Sequence, residues 1–322
     1  MGGVSFLRAG PLTTVQDLGR PQYRALGVSL GGALDSFAAQ VANLLVGNSV
    51  DAAVIEIAIG GVRLSFDDQC ALAWIGGDFP VQLAGAAVAP GRRVFVRQAE
   101  ILEIDLTRGG ARMWLAFSGG FDVPIVLGSR STDLRSSFGG YKGRALRDGD
   151  RLSLGQSVLD TRSDRSTNWA APDDWGKTAT QRLILRVVRG PEWEEFVGAA
   201  QEAFLQTSFT VSSQTDRMGV RLTGAKLQRA REHELLSEPV APGTVQVTPD
   251  GQPIILLGDC QTIGGYPKIA HVITVDLGRL AQLQPQDRVV FTEITHEEAL
   301  RLFAAREKQL RFFKAALQLR TL

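Results

Sequence analysis

Cysteine is almost missing from this chain: of 322 residues only Cys70 and Cys260 carry a thiol, one in each half. That excludes a disulfide framework, and no Cys-x-x-Cys pair offers a structural zinc site. Histidine is as scarce, at His233, His271 and His296, with no two at metal-ligand spacing, so no metal is expected. The three methionines, Met1, Met113 and Met218, never adjoin a lysine, which rules out a Met-Lys-Met attachment site for a carried prosthetic group. An excess of one charge is also lacking. Lys and Arg number 35 against 34 Asp and Glu, interspersed, so neither nucleic acid nor a membrane surface is an expected partner. No apolar run approaches the roughly 18 residues of a membrane span, and residues 1–20 lack a basic start followed by an apolar stretch. The expected compartment is the cytoplasm.

Two strings that look catalytic fail on context. Gly27-Val28-Ser29-Leu30-Gly31 matches G-x-S-x-G, but Gly32, Ala33 and Leu34 delay the helix that a nucleophile elbow must enter directly. Gly176-Lys177-Thr178 ends like a phosphate-binding loop without the glycine such a loop needs at position 171.

What the chain does have is a rhyme with itself at a separation of roughly 130 residues. Pro124-Ile125-Val126-Leu127-Gly128 leads through Arg130 and Thr132 to Gly139-Gly140-Tyr141-Lys142 and then Asp150-Arg151-Leu152. Pro253-Ile254-Ile255-Leu256-Leu257-Gly258 leads through Gln261 and Thr262 to Gly264-Gly265-Tyr266, Lys268 and then Asp287-Arg288-Val289. Shared pieces in one order predict two related domains, each with a short apolar strand followed by a polar, glycine-bearing loop.

Short alternating runs dominate both halves. Val54–Ile59 and Val62–Phe66 around Gly60-Gly61 read as a hairpin, and similar runs recur at 71–75, 93–96, 101–106, 112–117, 183–188, 244–247, 254–257, 270–275 and 288–294. This rhythm predicts an all-β protein with a few helices, folded as barrels or sandwiches. The helices are expected at Ser36–Val46 behind an Asp35 cap, from Pro191 through Phe204, and from a Thr295/Glu298 capping box to the C-terminus. The last is basic on one side, and packing on its own barrel with a solvated charged face is the expected arrangement. A polar stretch without apolar periodicity places a linker at 161–181, between domains at 1–160 and 182–322.

The second rhyming loop concentrates chemistry. Gln252, Asp259, Gln261, Thr262, Gly264, Gly265, Tyr266 and Lys268 bring carboxylate, amide, hydroxyl, phenol and ammonium groups around a Gly pair whose N–H groups suit an anion. Gln214-Thr215-Asp216-Arg217-Met218-Gly219 is a second polar knot, and Thr13–Arg20 a third. Residue types alone leave barrel turn and ligand site equally open for all three.

Taken together, Thr13–Arg20, Gly32–Asp35 with Ala42–Asn48, Gly120–Pro124 through Arg130-Ser131-Thr132, Gln214–Gly219 and Gln261–Lys268 resemble the allophanate hydrolase subunit 2 family. The resemblance runs from about Phe6 to about Ile294. It implies two cyclophilin-like β-barrel domains related by internal duplication. It further implies a heteromer with two separate chains, a B subunit (allophanate hydrolase subunit 1-like) and an A subunit. The implied activity is that of the C subunit of an ATP-dependent 5-oxoprolinase, which opens 5-oxo-L-proline to L-glutamate, with the ATP site on or shared with a partner. Under that reading Lys268, Asp259, Gln261 and Tyr266 are the expected catalytic residues. Arg217 or Arg130 would hold the substrate carboxylate, and Gln214, Asp216, Gln252, Thr262, Gly264 and Gly265 would complete substrate binding. Two alternatives stay open: carboxyl transfer to urea or another amide, with biotin carried by another chain, and non-catalytic regulation through binding of the B partner.

Overall fold

The computed structural model describes residues 2–157, 166–175, 182–231 and 233–320. Most of the expected linker and the Gly176-Lys177-Thr178 string lie outside the described residues. The chain divides into two compact units: Met1–Arg20, Gly31–Thr178 and Lys314–Leu322 form one, Pro21–Leu30 and Ala179–Phe313 the other. The class is the expected one, mostly β with a few helices.

The strands of the first unit are β1 Gly3–Ala9, β2 Leu12–Gln16, β3 Val54–Ala58, β4 Val62–Phe66, β5 Cys70–Asp78, β6 Val81–Leu83, β7 Ala86–Ala87, β8 Val94–Val96, β9 Ile101–Ile104, β10 Gly109–Phe117 and β11 Arg151–Ser153. Among the described residues they form two sheets, ordered β11-β1-β4-β9-β6-β7 and β2-β3-β10-β5-β8. Alternating side chains from both sheets, among them Phe6, Ile55, Ile57, Leu64, Trp74, Met113 and Phe117, fill one shared core. Helix α1, Ser36–Leu45, begins at the expected cap: the Asp35 carboxylate accepts from the Ala38 N–H at 2.9 Å. Asn43 and Asn48 then tie its end to the sheet, for the Asn48 amide donates to Phe117 O at 2.8 Å and its oxygen accepts from Gly119 N at 2.9 Å.

In the second unit β12 Arg182–Arg189, β13 Phe209–Val211, β14 Gly219–Thr223, β16 Thr244–Val247, β17 Pro253–Leu256, β19 Lys268–Val272 and β20 Arg288–Glu293 close a seven-stranded barrel. A separate two-stranded ribbon pairs β15, Glu238–Pro239, with β18, Ile263–Gly264. Closure falls on the parallel pairing of β12 with β20. It is reinforced by Asp276, which accepts from the Arg186 backbone N and two guanidinium nitrogens. Phe204 of α2, Gly198–Gln206, stacks on Phe291 at 4.3 Å. Burying such a ring contributes about 2–3 kcal/mol. The short helix α3, Leu277–Leu280, precedes β20, and α4, His296–Arg320, follows it. Thr295 Oγ1 accepts from Glu298 N at 3.1 Å, the N-terminal half of the expected capping box. On α4 Leu310 and Leu317 are buried, whereas Phe303 is exposed.

Three local expectations are corrected. Val54–Ala58 and Val62–Phe66 are strands but not a hairpin: β3 pairs with β2 and β10, β4 with β1 and β9. Ile59, Gly60 and Gly61 all have positive φ, so the chain crosses from one sheet to the other instead of folding back. Pro124–Leu127 is a turn rather than a strand, with Val126 bridging Ser129 and Ile125 exposed. The Pro191 segment gives only a 3-10 turn at Trp193–Glu195, and α2 starts at Gly198 after an extended Val197.

The crossing at Gly60 yields a test. A Cβ there would lie 2.1 Å from Asp105 O in a backbone at φ +95°. Gly60→Ala is expected to lower stability by about 3 kcal/mol, read as the urea midpoint. Gly85→Ala, which meets no atom within 4 Å and carries only the backbone strain of a positive φ, should cost less.

Candidate functional site

The expected catalytic loop is anchored by a buried charge. Lys268, 5% exposed, opens β19 and directs its ammonium between two carboxylates: Nζ lies 2.7 Å from Glu238 Oε2 and 3.2 Å from Glu192 Oε1. Glu192 Oε2 also accepts from the Lys268 backbone N at 2.8 Å, fixing the start of the strand. Burial pushes the Lys268 pKa down, but the hydrogen bonds to Glu238 and Glu192 outweigh it and raise the group above the ordinary lysine range. Glu192 is nearly buried, whereas Glu238 stands on the exposed ribbon strand β15.

Amide groups continue this cluster. Buried Gln246 donates from Nε2 to Tyr266 O at 3.1 Å, and its Oε1 accepts from Gln261 Nε2 at 3.4 Å. The Tyr266 ring is exposed. Thr262 O accepts from Val240 N at 3.0 Å, and Gly264 pairs with Glu238 in the ribbon, so the loop is strapped to the segment that carries Glu238. His271, two residues along β19 from Ile269, meets Thr244 Oγ1 at 3.2 Å. Burial and the neighbouring Lys268 charge lower its pKa, against a smaller opposing effect of Glu192.

The other expected site residues are placed differently. Arg217 and Asp259 form a nearly buried bidentate pair, at 2.8 and 3.0 Å. The guanidinium expected at a substrate carboxylate thus positions an internal one. The Asp216 carboxylate accepts from Met218 N and Gly219 N, Gln214 N donates to Ser212 Oγ, and Gln252 Oε1 accepts from Gly224 N at 2.8 Å. Asp216 and Gln252 direct their polar side-chain atoms to backbone, as turn residues do. Arg130 belongs to the first unit.

That unit holds a polar cluster of its own, built on the Thr13–Arg20 knot. The Asp17 carboxylate accepts from Gly19 N, Ser129 Oγ, Ser131 Oγ and Arg130 N at 2.5–2.8 Å. Arg20, 1% exposed, donates to Val126 O and Ser131 O and lies over the Phe138 ring. Gly139 and Gly140 have φ of 69° and 52°, and a Cβ on Gly140 would fall 1.9 Å from Thr132 Oγ1. The Gly pair of the first loop is therefore a corner at positive φ packed on Ser131 and Thr132, whereas a Cβ on Gly264 or Gly265 would first meet the end of a side chain, the Gln246 amide or the Ser237 hydroxyl. Residues missed from sequence are Glu192, Glu238 and Gln246. Glu192 reads locally as a charge in the first turn of a helix, and nothing near Glu238 or Gln246 in the chain marks them.

Residues 26–293 match the family described as carboxyltransferase domain, subdomain A and B, and the chain belongs to it. It is 41% identical to the C subunit of 5-oxoprolinase from Escherichia coli over 97% of this chain and 96% of that protein. Identity to the C subunit of 5-oxoprolinase from Haemophilus influenzae is 37% over 90% of each. Among solved structures, the K. lactis urea amidolyase superposes with a TM-score of 0.90 at 30% identity over 97% of this chain, which spans 20% of that one. Among the described residues no helix is long and apolar enough to cross a membrane.

The depressed His271 pKa has a consequence for stability. Its folded-state value lies below the unfolded one, so between the two the unfolded chain binds the extra proton. The stabilisation is present above about pH 6.5 and is lost as pH falls through the folded-state value. Denaturant unfolding from pH 8 to 5 should show this loss, with a slope of at most about 1.4 kcal/mol per pH unit from this group; in His271→Gln that component should vanish.

Proposed function

We propose that this chain is the C subunit of an ATP-dependent 5-oxoprolinase, acting with the A and B subunits in the cytoplasm to open 5-oxo-L-proline to L-glutamate. The observation that carries the reading is the 41% identity to the E. coli protein, nearly end to end in both. An unactivated lactam resists water because its amide resonance must be broken, and charge gathers on the carbonyl oxygen as attack proceeds. A fixed cation where that charge develops lowers the barrier.

Lys268 is the residue assigned to that role. In the resting chain its ammonium is shared by two carboxylates, so a developing oxyanion must displace one of them. Glu238 is the one free to leave, because it rides on the exposed ribbon while Glu192 is held by the Lys268 backbone N–H. The Gln246 and Gln261 amides and the exposed Tyr266 phenol are assigned to orienting the lactam, with Thr262 and Gly264-Gly265 forming the adjoining wall. Asp259, clamped by Arg217, is assigned to orienting water.

Neither glycine pair of the rhyming loops opens a cradle for the phosphates of ATP. The Gly139-Gly140 backbone is packed on Ser131 and Thr132, and a Cβ on Gly264 would meet the Gln246 amide at 2.8 Å. We assign nucleotide binding to the partner proteins, and no step through ATP to this chain.

A second reading is favoured by the family itself and by the urea amidolyase superposition. There the same cation would hold a carboxylate in transit from biotin on another chain to an amide nitrogen. One assay separates the two. With the A and B subunits present, wild-type protein should form glutamate from 5-oxo-L-proline and ATP without biotin, and Lys268→Ala should lower kcat at least 100-fold. Near-normal turnover by the variant would remove Lys268 from the mechanism, and biotin-dependent carboxylation of urea would favour the alternative.

A further inference from the structure

Arg130 is fixed at its backbone and at one edge of its guanidinium. Its N–H donates to Asp17 Oδ2 at 2.6 Å and its Nε donates to Val123 O at 3.1 Å. No hydrogen bond or ion pair to a described residue engages its two Nη groups. The side chain borders a cavity of about 560 Å³ in the first unit, within the roughly 300–1,000 Å³ of small-molecule sites. Ser118, Asp68, Asp122, Phe121 and Leu154 also line it. The Ser118 oxygen accepts from Ala71 N at 3.0 Å, which leaves its hydroxyl proton to donate inward. The Asp122 carboxylate has no partner among the described residues.

These groups set the ligand's chemistry. Four Nη protons in a planar fork suit one carboxylate, and the Ser118 hydroxyl adds a further donor for it. Two carboxylates on the wall repel a dianion such as phosphate but accept an N–H. Phe121 and Leu154 suit a short hydrocarbon body. We propose that this cavity is a binding site for a compact monocarboxylate that also bears an N–H donor, with Arg130 pairing to its carboxylate and Asp122 accepting its N–H. The choice of 5-oxo-L-proline as the probe rests on the functional reading above; the class of ligand does not.

The test is calorimetric titration of the full chain with 5-oxo-L-proline, L-glutamate, 2-pyrrolidinone, N-methyl-5-oxo-L-proline and inorganic phosphate. A carboxylate-bearing probe should bind at least tenfold more tightly than 2-pyrrolidinone, and phosphate should not displace it. Arg130→Met should weaken that binding at least tenfold with little change in melting temperature. Should Arg130→Met fail to fold, Asp122→Leu decides the matter, since removing the side-chain acceptor should erase the preference for the N–H lactam over its N-methyl form. Equal binding of 2-pyrrolidinone, displacement by phosphate, unchanged binding in both variants, or no binding of any carboxylate overturns the site. If carboxylates bind as described but the assembled complex forms no glutamate, the functional reading fails while the site stands.

Discussion

One ammonium in an almost solvent-free position governs the second unit. A buried charge costs several kcal/mol unless it is paired and hydrogen-bonded, and Lys268 meets that requirement with two carboxylates from distant parts of the chain. The need for those partners shapes the surroundings. Glu192 must sit beside the start of β19, and nearby Gly190 has no room for a Cβ, which would lie 2.0 Å from Lys268 O. Glu238 must reach in from outside, and the β15–β18 ribbon that delivers it is the same ribbon that holds Gly264. Barrel, ribbon and polar loop thus meet at a single nitrogen atom.

The first unit answers a similar problem from the opposite sign. Asp17 gathers backbone and hydroxyl donors from Gly19, Ser129, Arg130 and Ser131, while Arg20 beside it donates to carbonyl oxygens and covers an aromatic ring. A carboxylate saturated in this way orders the loop that presents Arg130. Its guanidinium is thereby held with donors to spare, whereas the guanidinium of Arg217 is consumed by Asp259. Two arginines expected in the same role differ in chemical capacity because only one has an internal acid.

Much of the fold was legible locally. The Asp35 cap, the apolar face of α1 and most strands follow from period and capping, because each depends on residues within a few positions of one another. The failures have a common cause. Whether Gly60-Gly61 closes a hairpin or crosses between sheets is decided by what the flanking strands pair with, and Gly60 packs against Asp105, far along the chain. Gly139-Gly140-Tyr141 and Gly264-Gly265-Tyr266 are the same string in different backbone conformations, since only the former is pressed onto Ser131 and Thr132. For the site, Lys268, Gln261 and Tyr266 are marked by their own density of polar groups. Glu192 and Glu238 are separated from Lys268 by 76 and 30 positions, and no local pattern reveals such partners.

Under the proposed mechanism Lys268 is held in reserve by Glu238 and released to the anion that forms at the lactam. The most direct measurement follows the Lys268 side-chain nitrogen by ¹⁵N NMR in the assembled complex, using its coupling to the Glu238 carboxylate carbon as the readout. That coupling should be present in the resting complex and lost when 5-oxo-L-proline and nucleotide are added, while contact with Glu192 persists. A Lys268–Glu238 coupling that stays intact throughout turnover would contradict the mechanism.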